Sequence, residues 1–502
     1  MNLNYTLDQT VSEFGENIAF KHPGGEINYE MFHEAVKRLA QGLQKLGIDQ
    51  GERVAIMLPN VPHFAISYFA ILRLGAVVVP VNTMLKGSET AVLLEDSEAK
   101  VLIIWEGLYS EISRAAHLIH SLKHLLVLGS DIPENSISLT RLISRCQPIN
   151  FVTDVEEEDL AVIQYTAGVT GRPKGVELSH GNYLSNVREC REIMRVTSED
   201  EFLAVLPFFH SMGQTMSMIL SLTSGACLNI FPRFDPEEVL NTLINGNSSL
   251  FVGVPSMFKL VYDLIAGEDE LEINHPIRLC ICGGGGISEE LLKQFEKTFH
   301  TYILESYTTA ETSPVISFNQ WRTGRRVGSL GHPIPGVEMK VVDENNEEVS
   351  IGEAGEIVVK GPNVMRGYLN RPRLSEQVLE YDWFHTSDLG KMDINGFFYL
   401  VDRQHDRIIK GGFSIYPSEV EAILIRHPDV MEVAVVPIPD EIMGQEVKAC
   451  IVLKESATVT TEQLADYCRE HMALYKVPAI VRFYLDFPRT ATGRIDKREL
   501  RN

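Results

Sequence analysis

Tyr165-Thr166-Ala167-Gly168-Val169-Thr170-Gly171-Arg172-Pro173-Lys174-Gly175-Val176 is the stretch that decides how this chain is read. The apolar run before it, over 160–163, has the make-up of a buried strand. A helix is predicted from Asn182 onward, after Ser179-His180. Gly168, Gly171 and Gly175 free the backbone where a side chain would clash. Two threonine hydroxyls, the Lys174 ammonium and backbone N–H groups can converge on an anion in such a turn. An ordinary surface loop has the same composition, so the stretch needs support from the rest of the chain. The G-x-x-x-x-G-K-[ST] phosphate loop is excluded, because Pro173 stands where its second glycine is required.

Size and charge narrow the classes. A chain of 502 residues has material for two or more domains and a large core. Apolar content of 44% and charged content of 23% are those of a soluble globular protein. The net charge of −23 argues against a nucleic-acid partner and obliges any anion site to supply its own cations. Seven scattered cysteines, an odd number, make no disulfide framework and suit a reducing, cytoplasmic setting. Cys280 and Cys282 have no second pair at metal-ligand spacing. The polar N-terminus carries no signal-peptide pattern. The apolar stretch over 66–81 is broken by Arg73, Gly75 and Pro80, too short to span a bilayer.

Working outward, strands and helices alternate along most of the chain, which predicts parallel sheets covered by helices. Three predicted strand ends carry polar or glycine-rich loops. These are Pro207-Phe208-Phe209-His210, Gly283-Gly284-Gly285-Gly286, and the segment after Leu304 that holds Ser306, Tyr307, Thr308 and Glu311. In open parallel sheets, ligands lie beyond such carboxyl ends. From about 327 to 400 the pattern changes to short alternating strands with frequent turns, a small antiparallel β-subdomain. The expected division is an N-terminal domain over 1–402 and a compact α+β C-terminal domain over 403–502.

The 166–175 stretch resembles the phosphate-loop signature of the AMP-forming, adenylate-forming enzymes: acyl-CoA synthetases, adenylation domains and luciferases. The usual form is [ST]-S-G-T-T-G-x-P-K-G; here Ala167 and Val169 replace two hydroxyl residues. Further signatures follow in order over nearly the whole chain. The resemblance implies ATP, Mg²⁺ and coenzyme A as participants, with a carboxylic acid as the other small-molecule substrate. A monomer or homodimer and peripheral membrane contact are both compatible with it.

Site roles are carried over residue by residue. Thr166, Gly168, Thr170, Gly171 and Lys174 would hold the departing phosphates. Tyr307 to Glu311 is similar to Y-G-x-T-E, with Thr308 and Ala310 as departures; Glu311 would hold Mg²⁺, and Tyr307 would stack on adenine. Ser306, Thr308 and Gly283 to Gly285 would border the nucleotide, although a glycine run is also a tight turn. Asp388 resembles the ribose-binding aspartate, preceded by Ser387 where glycine is usual, and Arg403 resembles the ribose-phosphate arginine. His210, Gly213, Val252 and Val254 are the expected acyl pocket; a structural histidine is the alternative at His210. His405 is the expected hinge, and Gly411 and Gly412 the coenzyme A channel, or simply a turn. The final signature, P-x-T-x-[ST]-G-K, has Arg494 in place of its catalytic lysine. Arginine keeps the charge but is planar and bulkier.

The implied activity is activation of a carboxylic acid as acyl-AMP and its transfer to coenzyme A, with a medium- or long-chain fatty acid as the expected acid. The alternatives are a ligase that loads a carrier protein in trans and a degenerate paralogue that binds without turnover.

Overall fold

Val54 and Ile56 of the strand Arg53–Met57 face one apolar core, while Ala55 and Met57 face another. An all-apolar strand buried on both faces is the mark of a parallel sheet with helices on each side. The computed structural model that shows this describes residues 1–166, 173–265, 273, 277–320, 324–403, 408–454, 457–488, 495, 497 and 499–501, apart from the side chains of Asp402, Arg403 and Ser418. Among these residues the strands form four sheets.

Two sheets carry most of the chain. One has eight strands, in the order Gly367–Tyr368, Lys174–Ser179, Leu160–Thr166, Val77–Pro80, Arg53–Met57, Val101–Trp105, His124–Leu128 and Ile137–Ser138. It is parallel from Leu160–Thr166 outward and antiparallel at its first edge. The other has nine strands, with a parallel centre built from Ile18–His22, Cys227–Ile230, Glu201–Ala204, Leu250–Gly253, Leu279–Gly283 and Ile303–Thr308. The helices Tyr29–Lys45, Pro62–Arg73 and His180–Met194 are sandwiched between the sheets and fill their shared core. Caps fix where two of them begin: the Asn28 side chain accepts from the Met31 N–H at 2.8 Å, and Ser179 and Asn182 form a capping box. Gly87–Asp96 and Tyr109–Ala115 cover the outer face of the first sheet. Pro236–Asn245, Pro255–Asp263 and Glu289–Phe299 cover that of the second.

Two smaller sheets follow. Glu338–Val342, Gly355–Lys360, Leu379–Glu380, Trp383–Met392 and Phe398–Arg403 form an antiparallel sheet. Phe413–Ile415, Ile408–Lys410, Gly444–Leu453, Val430–Asp440 and Ile480–Tyr484 form the last, with the helices Pro417–Leu424 and Thr461–His471 packed on a separate core that includes Ile408, Ile415, Leu424, Ile451 and Leu464.

Three elements differ from the sequence pattern. The strand expected to end at Leu304 runs to Thr308, so Ser306 and Tyr307 are strand residues. Pairing with Leu279–Gly283 on one side and Val315–Phe318 on the other outweighs the polarity of its last residues. A strand, Lys174–Ser179, stands between the glycine-rich loop and the next helix, so that loop joins two antiparallel strands. Gly213–Ile219 winds as a π-helix with every residue buried, a wide winding that residue spacing does not announce. Such wide turns are frequent at functional sites.

One buried ion pair ties the N-terminal helix Leu3–Phe14 into this frame. Arg73 is 1% exposed and donates to Asp8 at 2.8 Å, and His33 lies 2.7 Å from the same carboxylate oxygen. Removing one partner of a buried pair strands the other charge. Asp8→Ala is expected to lower unfolding free energy by about 2–3 kcal/mol, discounted because Asp8 is partly exposed. In urea denaturation, adding Arg73→Met should recover part of the loss; no recovery would mean the stranded charge is not the cause.

Candidate active site

A cleft of about 1200 Å³ opens at the carboxyl ends of the parallel strands, walled on its far side by the C-terminal unit. Its lining includes Thr166, Glu311, Tyr307, Gly412 and Lys476. Antiparallel pairing sets Thr166 directly opposite Lys174 across the hairpin. The Thr166 Oγ1 atom is buried with no hydrogen-bond partner among the described residues. A buried hydroxyl in that state costs free energy until a ligand group satisfies it.

Lys174 does not act alone. Its Nζ donates to the Tyr368 hydroxyl oxygen at 3.2 Å and sits 4.3 Å from the centre of the Tyr368 ring. The same hydroxyl donates to Glu311 Oε1 at 2.9 Å. Backbone bonds hold the three together: Leu369 N–H to the Gly175 carbonyl (2.7 Å), Arg366 N–H to Glu177 (2.9 Å) and Met365 N–H to Glu311 (2.8 Å). Tyr368 was not singled out by the sequence pattern, because a two-residue strand is too short to show periodicity.

A second cluster lies along the wall. The Tyr307 hydroxyl donates to Asp388 Oδ2 at 2.7 Å, and Asp388 is 4% exposed. Asp388 sits mid-strand, beside a register shift at Leu389/Gly390. Ser387 before it has φ +58°, a left-handed backbone that glycine adopts at less cost than serine. Arg403 pairs with Asp388 across the strands, but its side chain lies outside the described residues.

The glycine run divides. Gly284 and Gly285 line the cleft, whereas Gly283 is buried: a Cβ there would meet Ser306 Oγ at 2.6 Å and Met212 Cε at 2.7 Å. Ser306 and Thr308 line the cleft with Tyr307. The expected acyl pocket divides too. His210 lines the cleft; Val252 lies in the core, and neither it nor Val254 or Gly213 reaches the lining. Gly213 opens the π-helix so close to the preceding turn that a Cβ would meet the Pro207 carbonyl oxygen at 2.4 Å. It serves packing there.

Gly411 and Gly412 form a two-residue hairpin turn, both at positive φ (+54° and +86°), joining Ile408–Lys410 to Phe413–Ile415. The tip rests against the other unit: a Cβ on Gly412 would meet Val254 Cγ1 at 2.7 Å. Nearby, Lys476 Nζ reaches Glu89 Oε1 across the cleft at 2.7 Å and Glu419 Oε2 at 3.5 Å. Burial lifts the Glu419 carboxyl to about 6, against the pull of Lys476. Burial also opposes the charge on Lys476, yet Glu419 and Glu89 hold its pKa above the ordinary lysine range. Gly168, Thr170, Gly171, His405 and Arg494 lie outside the described residues. Among the described residues no three His, Cys, Asp or Glu side chains are grouped to hold a metal by themselves, and no helix is long and apolar enough to cross a membrane.

Fold and cleft together define an α/β architecture in which Thr166, Tyr307 and Glu311 line a cleft bordered by the C-terminal unit, with Lys174 donating to Tyr368 and Asp388 accepting from Tyr307 beside it. The chain belongs to the AMP-binding enzyme family: that family's model matches residues 7–369, and the model of the AMP-binding enzyme C-terminal domain matches 419–494. It is 33% identical to a long-chain-fatty-acid–CoA ligase of Bacillus subtilis, over 99% of this chain and 94% of that one. It is 31% identical to an oxalate–CoA ligase of Arabidopsis thaliana, over 97% of each. Among solved structures it is similar to a double mutant of the o-succinylbenzoate CoA synthetase of Bacillus subtilis bound with its product analogue OSB-NCoA, with a TM-score of 0.88, 28% identity, and 99% and 98% of the two chains covered. It is thus an enzyme of the AMP-forming acid–CoA ligase class.

Desolvation pushes the His210 imidazole down to about 4. The folded state therefore takes up this proton later than the unfolded chain as pH falls. Stability from this group is complete above about pH 6.5 and is lost as pH falls toward 4. His210→Gln is expected to remove on the order of 2 kcal/mol of that acid-side loss in pH-dependent urea titrations; an unchanged slope would show that the imidazole does not titrate in this window. Gly213→Ala is expected to lower the melting temperature while leaving the preference among acids of different length unaltered. A shifted preference would restore Gly213 to the pocket wall.

Proposed function

We propose that this enzyme is a fatty acyl-CoA ligase acting on medium- or long-chain acids. The observation that carries the reading is the placing of Thr166, Glu311 and Tyr307 on the cleft lining, with Lys174 tied to Glu311 through Tyr368 and Asp388 hydrogen-bonded to Tyr307. Phe209, Ile287 and Leu330 supply apolar lining, and an apolar tail suits such a surface. The identity with the Bacillus subtilis long-chain ligase supports the same acid class.

In the first half-reaction the acid's carboxylate oxygen attacks the α-phosphorus of ATP, and the bond to pyrophosphate breaks. Lys174 and the Thr166 hydroxyl balance charge on the departing phosphates. The residues present fit Mg²⁺: one carboxylate, Glu311, beside bound phosphates is the donor set this ion favours. When bound, Mg²⁺ would neutralise phosphate charge. The Asp388 carboxylate has acceptor sites enough for the Tyr307 hydroxyl and ribose hydroxyls together. In the second half-reaction the thiol of coenzyme A attacks the acyl carbon and AMP departs, the thiol proton passing to solvent or phosphate. The Gly411–Gly412 tip leaves backbone alone along the approach, and we assign the unit beyond residue 403 as the domain that moves between the steps. All seven cysteines are free thiols, which suits a reducing, cytoplasmic setting.

Pyrophosphate release with a panel of acids tests the reading. Medium- and long-chain acids should support release, with multiple turnovers only when coenzyme A is present. Release independent of coenzyme A would favour transfer to a carrier protein, and no release with any acid would favour a binding protein. Arg494→Lys should speed adenylation several-fold and leave thioester formation from preformed acyl-AMP within about two-fold, since lysine concentrates its charge at one point; slower or unaltered adenylation would refute that role for Arg494.

A further inference from the structure

We propose that Tyr368 is a positioning residue of the first half-reaction, its hydroxyl spacing Lys174 from Glu311 so that the two do not close into a direct ion pair. The inference rests on the ligase reading above and goes beyond it, because Tyr368 belongs to none of the motifs that carry the reading.

The geometry is a relay of three groups. The Lys174 ammonium donates to the tyrosine oxygen at 3.2 Å, and the tyrosine proton points to Glu311 Oε1 at 2.9 Å. One hydroxyl is acceptor and donor at once, which a phenol can be and a phenyl cannot. The ring lies beneath the ammonium, 4.3 Å from centroid to Nζ, and adds a cation–π contact. Tyr368 is itself held firmly. It is 5% exposed, its N–H donates to Ser375 Oγ at 2.8 Å, and its backbone pairs with Val176.

Opposite charges that reach a common hydroxyl are near enough to close into a direct ion pair once that hydroxyl is gone. A closed pair would withdraw the lysine from phosphate and the carboxylate from metal together. The hydroxyl thus prevents the two ends of the site from satisfying each other before substrate arrives. Preorganisation of this kind acts on nucleotide binding and adenylation, and has no part in thioester formation from a ready-made acyl adenylate.

The test is Tyr368→Phe in the full-length chain, which keeps the ring and removes the hydroxyl. Calorimetric affinity for MgATP and kcat/KM for pyrophosphate release are each expected to fall at least ten-fold. Thioester formation from preformed acyl-AMP and coenzyme A should stay within two-fold of wild type, as should the melting behaviour of the variant. A double-mutant cycle supplies a readout that a packing role would not move. With Glu311→Gln as background there is no carboxylate to close onto, so Tyr368→Phe should change metal-free ATP affinity less than two-fold. Wild-type values for Tyr368→Phe would overturn the proposal. So would an equal loss in both half-reactions with a lowered melting temperature, which would mark the hydroxyl as structural. If the wild-type chain itself bound no ATP, the ligase reading would fall and this inference with it, a result distinct from a failure of the variant alone.

Discussion

The backbone stitching of residues 365–369 to both the phosphate hairpin and the Glu311 turn is the constraint from which the site follows. Three N–H groups of this short segment donate to Glu311, Glu177 and Gly175. Those carbonyls belong to two different sheets: the Gly175 and Glu177 strand lies in the eight-stranded sheet, while Glu311 follows the strand Ile303–Thr308 of the nine-stranded one. Helices separate the sheets elsewhere, so the segment is a short route by which the lysine of one meets the carboxylate of the other. Side-chain contacts then refine what the main chain has already brought together. Asn182 reinforces the join with bonds to the carbonyls of Pro362 (2.7 Å) and Val364 (2.9 Å), and Asn363 does so from the other direction by donating to Thr312 (3.1 Å) and Val315 (2.8 Å).

Much of this was legible in the sequence, for identifiable reasons. The apolar runs at 54–58, 76–81 and 101–105 are short, rich in valine and isoleucine and bounded by turn signals, which is how strands buried on both faces read. The helix Tyr29–Lys45 shows its spacing in Phe32, Val36, Leu39 and Leu43, all buried. Lys174, Glu311, Tyr307 and Asp388 could be named because each sits in a motif with fixed neighbours. Other features were hidden because they arise from contacts distant in sequence. Tyr368 lies 194 residues from Lys174, and nothing local marks the pairing. Gly213 and Gly283 lie off the cleft lining, and the Ser306 and Met212 atoms that a Cβ on Gly283 would meet come from other parts of the chain. The extension of Ile303–Thr308 likewise depends on partners on either side, which can override local polarity.

The C-terminal unit meets the rest of the chain through few but specific contacts. Lys476 bridges Glu89 and Glu419 with almost no exposure to solvent. An ion group shielded in this way depends strongly on its geometry, since desolvation is offset only while the partners stay in place. The Glu419 carboxyl, already raised toward neutrality by burial, is the weakest member of the three. Its Oε2, the oxygen facing Lys476, makes an ion pair there but no hydrogen bond among the described residues. The arrangement is thus stabilised by charge, while the adjoining hairpin contributes fit.

That fit has a consequence for the chain as an evolving object. The turn at Gly411 and Gly412 works as a bare edge: its nearest neighbour across the gap is a valine methyl with no slack for one more carbon. Two unrelated demands, a left-handed bend and a flush seam, fall together on the second of the pair, Gly412. Drift at this spot is therefore penalised twice over, once within the hairpin and once where the hairpin meets the opposite wall.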